Sequence, residues 1–364
     1  MKGINMKVYF YQAECGDAAR ICYCSDNGKL HNLFIDSGFD RTFRHVLANE
    51  IETLVENGHI INGWVISHIH DDHIGGVVRY LDTIESGEFN DIVKHWYYNP
   101  PRQYVINEGQ GNKVSEIKSI DQGDKLYEYL AKNMKLPVQD IVAGLVLPFD
   151  GGLEITVLSP SSIKLNRLRK KYSQPGLPLE QNEDESVSVA LAPKVYDYHL
   201  LIEAFDLKKK TQDSSIENGS SISMITTLND KNILWLADSH PSDIVKSLKA
   251  MNYTPKNKLK CNWVKVAHHG SKGNNSDALY SLIDSENYLI SANGDNNHCL
   301  PTKEAIVRII KNKHRLEGLK YHFYFTYDNT LLRSMFENED PKIFSTYNFE
   351  LIFLSDGRFF EFDV

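Results

Sequence analysis

Six consecutive positions, His68-Ile69-His70-Asp71-Asp72-His73, carry three histidines and two aspartates. They follow the apolar run Gly63-Trp64-Val65-Ile66, with Ser67 between. A strand that ends in a short loop can aim alternate side chains the same way. His68 and His70 can therefore hold one cation, and Asp72 and His73, past the turn, can reach a second. Imidazole and carboxylate suit a borderline divalent ion such as Zn²⁺. Gly75-Gly76 then reads as the opening of a helix close to the site. The order of residue types sets this run apart from a polar loop that is merely rich in histidine.

The rest of the chain bounds what surrounds that cluster. With 364 residues, 41% of them hydrophobic, it can bury a large core, as one large domain or one domain with an appendage. No run of about eighteen apolar residues is present to span a membrane. The start, Met1-Lys2-Gly3-Ile4-Asn5-Met6-Lys7, has no apolar signal region and reads as cytoplasmic. Five cysteines are few and odd in number. Cys22 and Cys24 share one strand face, a poor disulfide geometry, so reduced thiols are expected. Cys299, beside His298, is a minor candidate for a metal contact. The net charge of −8 argues against broad duplex binding. The basic runs 164–171 and 208–210 read as solvated faces.

Strand patterns fall at 7–14, 18–24, 31–36 and 63–67, with helices at 42–57 and 74–85. A strand at 92–98 precedes a loosened stretch, 99–111, and a polar helix at 115–133. Two apolar runs, 187–191 and 198–205, are separated by polar loops. A hairpin through Asn229-Asp230 joins 221–228 to 232–237. A helix starts at Pro241. Strands at 263–267 and 288–291 alternate with helices at 277–283 and 302–313, and 320–362 reads as mainly β. Mixed strands and helices in two halves fit an α/β, four-layer αββα sandwich. The expected organisation is a hydrolase domain over 1–314, with insertions at about 99–140 and 173–218, followed by a β-rich C-terminal extension over 315–364.

Three further segments bear on the chemistry. Asp238 ends the apolar run Ile233-Leu234-Trp235-Leu236-Ala237, where a carboxylate is costly unless it meets a cation. His268-His269-Gly270-Ser271 ends another apolar strand and suits one metal ligand plus one group contacting substrate. Gly270 allows close approach to the backbone. His298, within Asn293-Gly294-Asp295-Asn296-Asn297-His298-Cys299-Leu300-Pro301, can bind metal, bind substrate or protonate a leaving group.

The His-x-His-x-Asp-His pattern after a strand resembles the signature of the metallo-β-lactamase fold superfamily. Glu14-Cys15-Gly16-Asp17-Ala18, Ile35-Asp36-Ser37-Gly38, the histidine cluster, His268-His269-Gly270-Ser271 and Gly294…His298…Pro301 occur in that order. The order is similar to that of the metallo-hydrolase domain of competence DNA-uptake channel proteins and of related bacterial phosphorylcholine esterases, over roughly residues 7–310. The resemblance implies two divalent metals, Zn²⁺ or Mn²⁺. His68, His70 and Asp238 would hold one; Asp72, His73, Asp238 and His269 would hold the other. His268 would face substrate, and Asp17 and Asp36 would orient ligands. The wider superfamily has a separate histidine for the first metal; here Asn218-Gly219-Ser220-Ser221 stands in its place, and His199 lies in a strand-like run. Asp238 is flanked by Ala237 and Ser239 rather than by the usual Gly.

The expected activity is metal-dependent hydrolysis of an ester, a phosphodiesterase or nuclease in which metal activates water. Asp72 would orient that water, and His268 or His298 would protonate the leaving oxygen. The partner would be a phosphoester, nucleic acid or nucleotide among them, and Trp96-Tyr97-Tyr98 and Tyr104 could stack a base. The alternatives are a lactone, thioester or β-lactam hydrolase, and a non-catalytic metal-binding module.

Overall fold

The computed structural model describes residues 6–102, 118–173, 194–209 and 211–364. Two sheets lie face to face. The first has six strands in the order Phe359–Asp363, Met6–Tyr11, Ala18–Cys24, Leu30–Asp36, Ile61–Ile66 and Val93–Tyr98. Its first three pairings are antiparallel and its last two parallel. The second has eight, in the order Phe349–Phe353, Tyr321–Phe325, Asn287–Ile290, Trp263–Lys265, Lys231–Trp235, Ser223–Leu228, Glu154–Ser159 and Val146–Pro148. Four parallel pairings are followed by three antiparallel ones.

Side-chain alternation builds the layers. Along Met6–Tyr11, Met6, Val8 and Phe10 join the apolar layer between the sheets, where Phe10 meets Trp235 and Trp263. Tyr9 and Tyr11 point the other way, into a layer shared with helices Ala48–Glu56, Asp71–Glu85 and Lys118–Lys132. On the far face of the second sheet, Leu234, Val264 and Tyr288 pack with Ile244 and Leu248 of helix Pro241–Ala250 and with Ile306 and Ile310 of helix Lys303–Ile310. Helices therefore cover both outer faces of the sheet pair, giving the four layers αββα. Each large apolar side chain buried this way contributes about 1.5–3 kcal/mol.

Several local expectations shift. The helix after the histidine cluster starts at Asp71, so Asp71 and Asp72 occupy its first turn, where backbone N–H groups favour negative charge. Gly75 and Gly76 lie within it. A Cβ on Gly76 would stand 2.3 Å from the Ser37 carbonyl oxygen, so the glycine lets this helix press against the turn after Leu30–Asp36. Residues 198–205 form two short 3-10 turns, Asp197–His199 and Ile202–Ala204; Tyr198 and Ile202, four apart, reach the core while His199 is exposed. The helix expected over 277–283 stops at Tyr280, and Ile283–Asp284 pairs with Leu259–Lys260. Asn229 and Asp230 both take positive φ, which is what a two-residue hairpin loop requires.

The C-terminal segment joins both sheets. Tyr321–Phe325 and Phe349–Phe353 extend the second, and Phe359–Asp363 crosses over to cover the edge of Met6–Tyr11. The run 187–191 lies outside the described residues.

Candidate metal centre

Strands from both sheets end at one place. Leu30–Asp36 and Ile61–Ile66 run parallel in the first sheet, ending at Asp36 and just before His68. Lys231–Trp235 and Trp263–Lys265 run parallel in the second, ending just before Asp238 and His268-His269. Within the first half, Gly16 lets the turn after Met6–Tyr11 press against the start of helix Asp71–Glu85: a Cβ there would lie 2.4 Å from the Asp72 carbonyl oxygen, and the Asp17 N–H donates to that same oxygen.

Two groups of donors form, sharing Asp238. One is Asp72, His73, Asp238 and His269; the other is His68, His70 and Asp238. Asp238 divides its two oxygens between them. Oδ1 lies 3.5 Å from His73 Nε2 and 3.7 Å from His269 Nε2, while Oδ2 lies 3.8 Å from His68 Nε2. Asp72 Oδ2 sits 3.2 Å from His269 Nε2 and 3.7 Å from His73 Nε2. Donors held about 2.0–2.2 Å from one Zn²⁺ in a tetrahedron stand roughly 3.3–3.6 Å apart, close to these separations.

The donor atoms themselves test whether metal belongs here. His68 Nε2, His73 Nε2, His269 Nε2 and both Asp238 oxygens are buried with no hydrogen-bond partner among the described residues. Five such atoms converging in one place would carry a heavy desolvation cost, which divalent cations relieve. The residues fit two such ions.

Behind the donors sits a supporting layer. His73 Nδ1–H donates to Asp36 Oδ2 at 2.9 Å, which turns Nε2 toward the donor group. Asp36 is itself held by the Ser67 N–H and hydroxyl. His269 Nδ1–H donates to the Ser291 carbonyl at 3.0 Å, with Asp17 Oδ1 at 3.2 Å. Asp17 pairs with the buried ammonium of Lys265. Asp17, Asp36 and His73 form a third close group, but its cation is already Lys265 and its imidazole faces it through Nδ1. Asp36 meets His73, and Asp17 meets His269, through their Nδ1 atoms.

The charges follow from burial and these neighbours. Burial pushes the His68 imidazole well below its usual pKa, and His73 and His70 add to that, so its lone pair is free. Burial works against protonating His73 too, but the carboxylates of Asp238, Asp72 and Asp36 outweigh it and hold its pKa well above the usual value. His269 is raised to about 9: burial opposes, and Asp17 and Asp238 prevail. Asp17 falls to about 2 against the effect of its burial, drawn down by Lys265 and His269. Asp238 is held well below the usual carboxylate range, burial being overcome by His268, His73 and His269. Cations entering this group would displace protons from His73 and His269.

The backbone near the second-sheet donors is strained. Ala237, His268 and His269 adopt φ of 44°, 45° and 52°, the left-handed region, at about 1–3 kcal/mol each. The turn aims His268 Nε2 to 3.5 Å from Asp238 Oδ2, outside both donor groups. His298 is exposed on the loop that ends at Pro301 and belongs to neither group. Cys299 is partly buried and is likewise in neither. Trp96 stacks on Trp64 and Tyr98 is buried beneath Gly123, so both are core side chains. Tyr104 lies outside the described residues.

Lys265, Asn274, Asp213 and Glu217 surround the centre without having been singled out from the sequence. Lys265 had a readable signal, a charge inside the apolar run Trp263-Val264-Lys265-Val266. Glu217, next to the Asn218-Gly219-Ser220-Ser221 segment, is buried and accepts from Lys171 and Tyr172.

The helix–sheet–sheet–helix layering with a His/Asp cluster at the strand ends is the arrangement that the resemblance to the metallo-β-lactamase fold implies. The crystal structure of a long form RNase Z from yeast is similar to this chain at 11% identity and a TM-score of 0.37, over 98% of this chain and 50% of that one. This chain thus spans about half the length of that neighbour. No family profile and no curated protein sequence matches it. Among the described residues no helix is long and apolar enough to cross a membrane.

Proposed function

We propose that this protein is a metal-dependent hydrolase of phosphoesters, most plainly a phosphodiesterase. The observation that carries the reading is the shared carboxylate: Asp238 presents one unpartnered oxygen to each of two histidine-bearing groups. His68, His70 and Asp238 would hold one divalent ion, and Asp72, His73, Asp238 and His269 the other. Bound there, the pair would supply a water acidic enough to attack near neutral pH and positive charge for the developing oxyanion. Zn²⁺ suits the histidines, and Mn²⁺ suits the oxygen-rich share.

The chain's own residues do the rest. Asp72 orients the attacking water beside His269. Asp36 and Asp17 keep His73 and His269 turned inward, so no reorganisation is needed as charge develops. His268, facing Asp238 from outside both groups, donates a proton to the leaving oxygen, and His298 is available to substrate from its exposed loop. The preference for phosphoester over lactone, thioester or β-lactam rests on the resemblance of the order of sequence segments to that of the competence-type hydrolases.

Hydrolysis of a chromogenic phosphodiester with added Zn²⁺ or Mn²⁺ tests this, with a lactone, a thioester and a β-lactam assayed in parallel. Phosphodiester turnover that disappears in Asp238→Ala supports the reading. Turnover of only the other three bonds, or equal rates in wild type and Asp238→Ala, would overturn it.

A further inference from the structure

His268 stands on a polar scaffold outside both donor groups. Its Nδ1 lies 2.8 Å from Asn274 Oδ1. Asn274 is fully buried, and its amide nitrogen is 2.8 Å from Asp213 Oδ2, 3.0 Å from the Asp238 carbonyl oxygen and 3.4 Å from the Ser239 carbonyl oxygen. All three neighbours are acceptors, so the amide group must present its NH₂ to them and its oxygen to His268. That oxygen can only accept. The proton of neutral His268 therefore resides on Nδ1, leaving the Nε2 lone pair to face Asp238 Oδ2 at 3.5 Å. Asp213 is fixed in turn by the Asn218 amide at 2.7 Å and the Ser215 N–H at 2.8 Å.

We propose that Asn274, anchored by Asp213, is a positioning residue that locks His268 in one tautomer and makes Nε2 its working nitrogen toward the reacting centre. This rests on the metal-centre reading above. A lone pair and a carboxylate oxygen in that arrangement repel unless a proton or cation lies between them. The left-handed backbone of His268, held by its N–H to the Ala237 carbonyl and by Ser271 N–H to its own carbonyl, fixes the ring's direction. Asn274 fixes its rotation. Asp213 is in no donor group, and Asn274 touches Asp238 through its backbone carbonyl, so zinc content is measured beside the tautomer to separate the two effects.

The test uses the full-length, zinc-loaded protein with ¹⁵N-labelled imidazoles, reading the His268 tautomer by long-range ¹H–¹⁵N correlation and assigning the signal with His268→Gln. Wild type is expected to show the Nδ1–H form. Asn274→Leu, which removes the acceptor, should give a mixed or inverted tautomer, with kcat lowered about 10²-fold, KM within about twofold and zinc content unchanged. Asn274→Asp keeps an acceptor toward Nδ1 and should keep the Nδ1–H tautomer, but its second oxygen would face the Asp213, Asp238 and Ser239 acceptors, so the tautomer and not kcat is its readout. An Nε2–H form in wild type, or an unchanged tautomer in Asn274→Leu, overturns the proposal. If Asn274→Leu does not fold, the wild-type signal and Asp213→Asn, expected to loosen the tautomer partially, decide it. Absence of phosphodiester turnover in wild type would strike the functional reading, while the tautomer still judges the role of Asn274.

Discussion

The two sheets supply the centre in different ways. The first carries its donors on one continuous run, from the end of strand Ile61–Ile66 into helix Asp71–Glu85, with ordinary backbone angles; His70, the residue before the helix, has φ −64° and ψ 143°. The second carries Asp238, His268 and His269 just beyond two separate strands, through left-handed residues at 237, 268 and 269. One half is a motif that its own helix organises. The other is a strained convergence that the packed sheets must impose. The first half is thus readable from local sequence, and the second depends on the tertiary frame.

Substituting one ligand from each half should break the comparison most sharply. His68→Ala is expected to lose one metal and keep the Asp72–His73–His269 group, whereas His269→Ala loses the other. Each should cut phosphodiester turnover by more than about a hundredfold, beyond the 10–100-fold typical of a supporting residue. Elemental analysis and steady-state rates check both. Loss of both metals in His68→Ala would mean the groups do not fill independently.

The supporting carboxylates come next. Asp17→Asn acts through His269, so it should weaken one metal by about 10–100-fold and leave the His68–His70 site unchanged. Asp36→Asn, whose carboxylate also holds the Ser67 hydroxyl beside His68 Nδ1, should weaken that metal and reach the other site to a smaller degree. Competitive titration with a chelator measures this. A uniform loss at both sites would argue for general destabilisation instead.

The pH response follows from the signs of the shifts. In protein stripped of metal by a chelator, His269 at about 9 stands above its unfolded value of about 6.5. Its contribution to stability is fully present below the unfolded value and is lost as pH rises through about 9. Thermal melts of stripped protein should therefore fall between those limits. Zinc-loaded protein should not follow, because metal replaces the protons, and the gap between the two curves should widen with pH. Parallel curves would contradict the protonation of His269.

The smallest effect concerns strain. Ala237→Gly should relieve a left-handed residue at some entropic cost, for a net change between zero and about +1 kcal/mol in stability. Gly76→Ala in the first half should destabilise, since its Cβ would press on the Ser37 carbonyl. Chemical denaturation distinguishes them, and a destabilising Ala237→Gly would remove strain from the account of the second half.

The same contrast explains what could be read beforehand. The histidine cluster, the hairpin at Asn229-Asp230 and the helix at Pro241 follow from local chemistry, and the layered α/β fold follows from alternation of apolar runs. Asp238 and the His268-His269 pair could be singled out because polar residues at the ends of apolar strands are costly; the choice of His269 within the pair came only with the family resemblance. Asn274 and Asp213 could not, because their value lies in one hydrogen-bonding arrangement across segments 61 residues apart. The helix start at Asp71 was masked by Gly75-Gly76, glycines that serve close packing rather than a turn.

Metal stoichiometry tests the central claim most directly. After reconstitution and removal of free ion, elemental analysis of wild type should find two equivalents of Zn²⁺ or Mn²⁺ per chain, and Asp238→Ala, lacking the carboxylate common to both groups, should retain less than one. Fewer than one equivalent in wild type, or two in Asp238→Ala, would contradict a centre built on a shared Asp238.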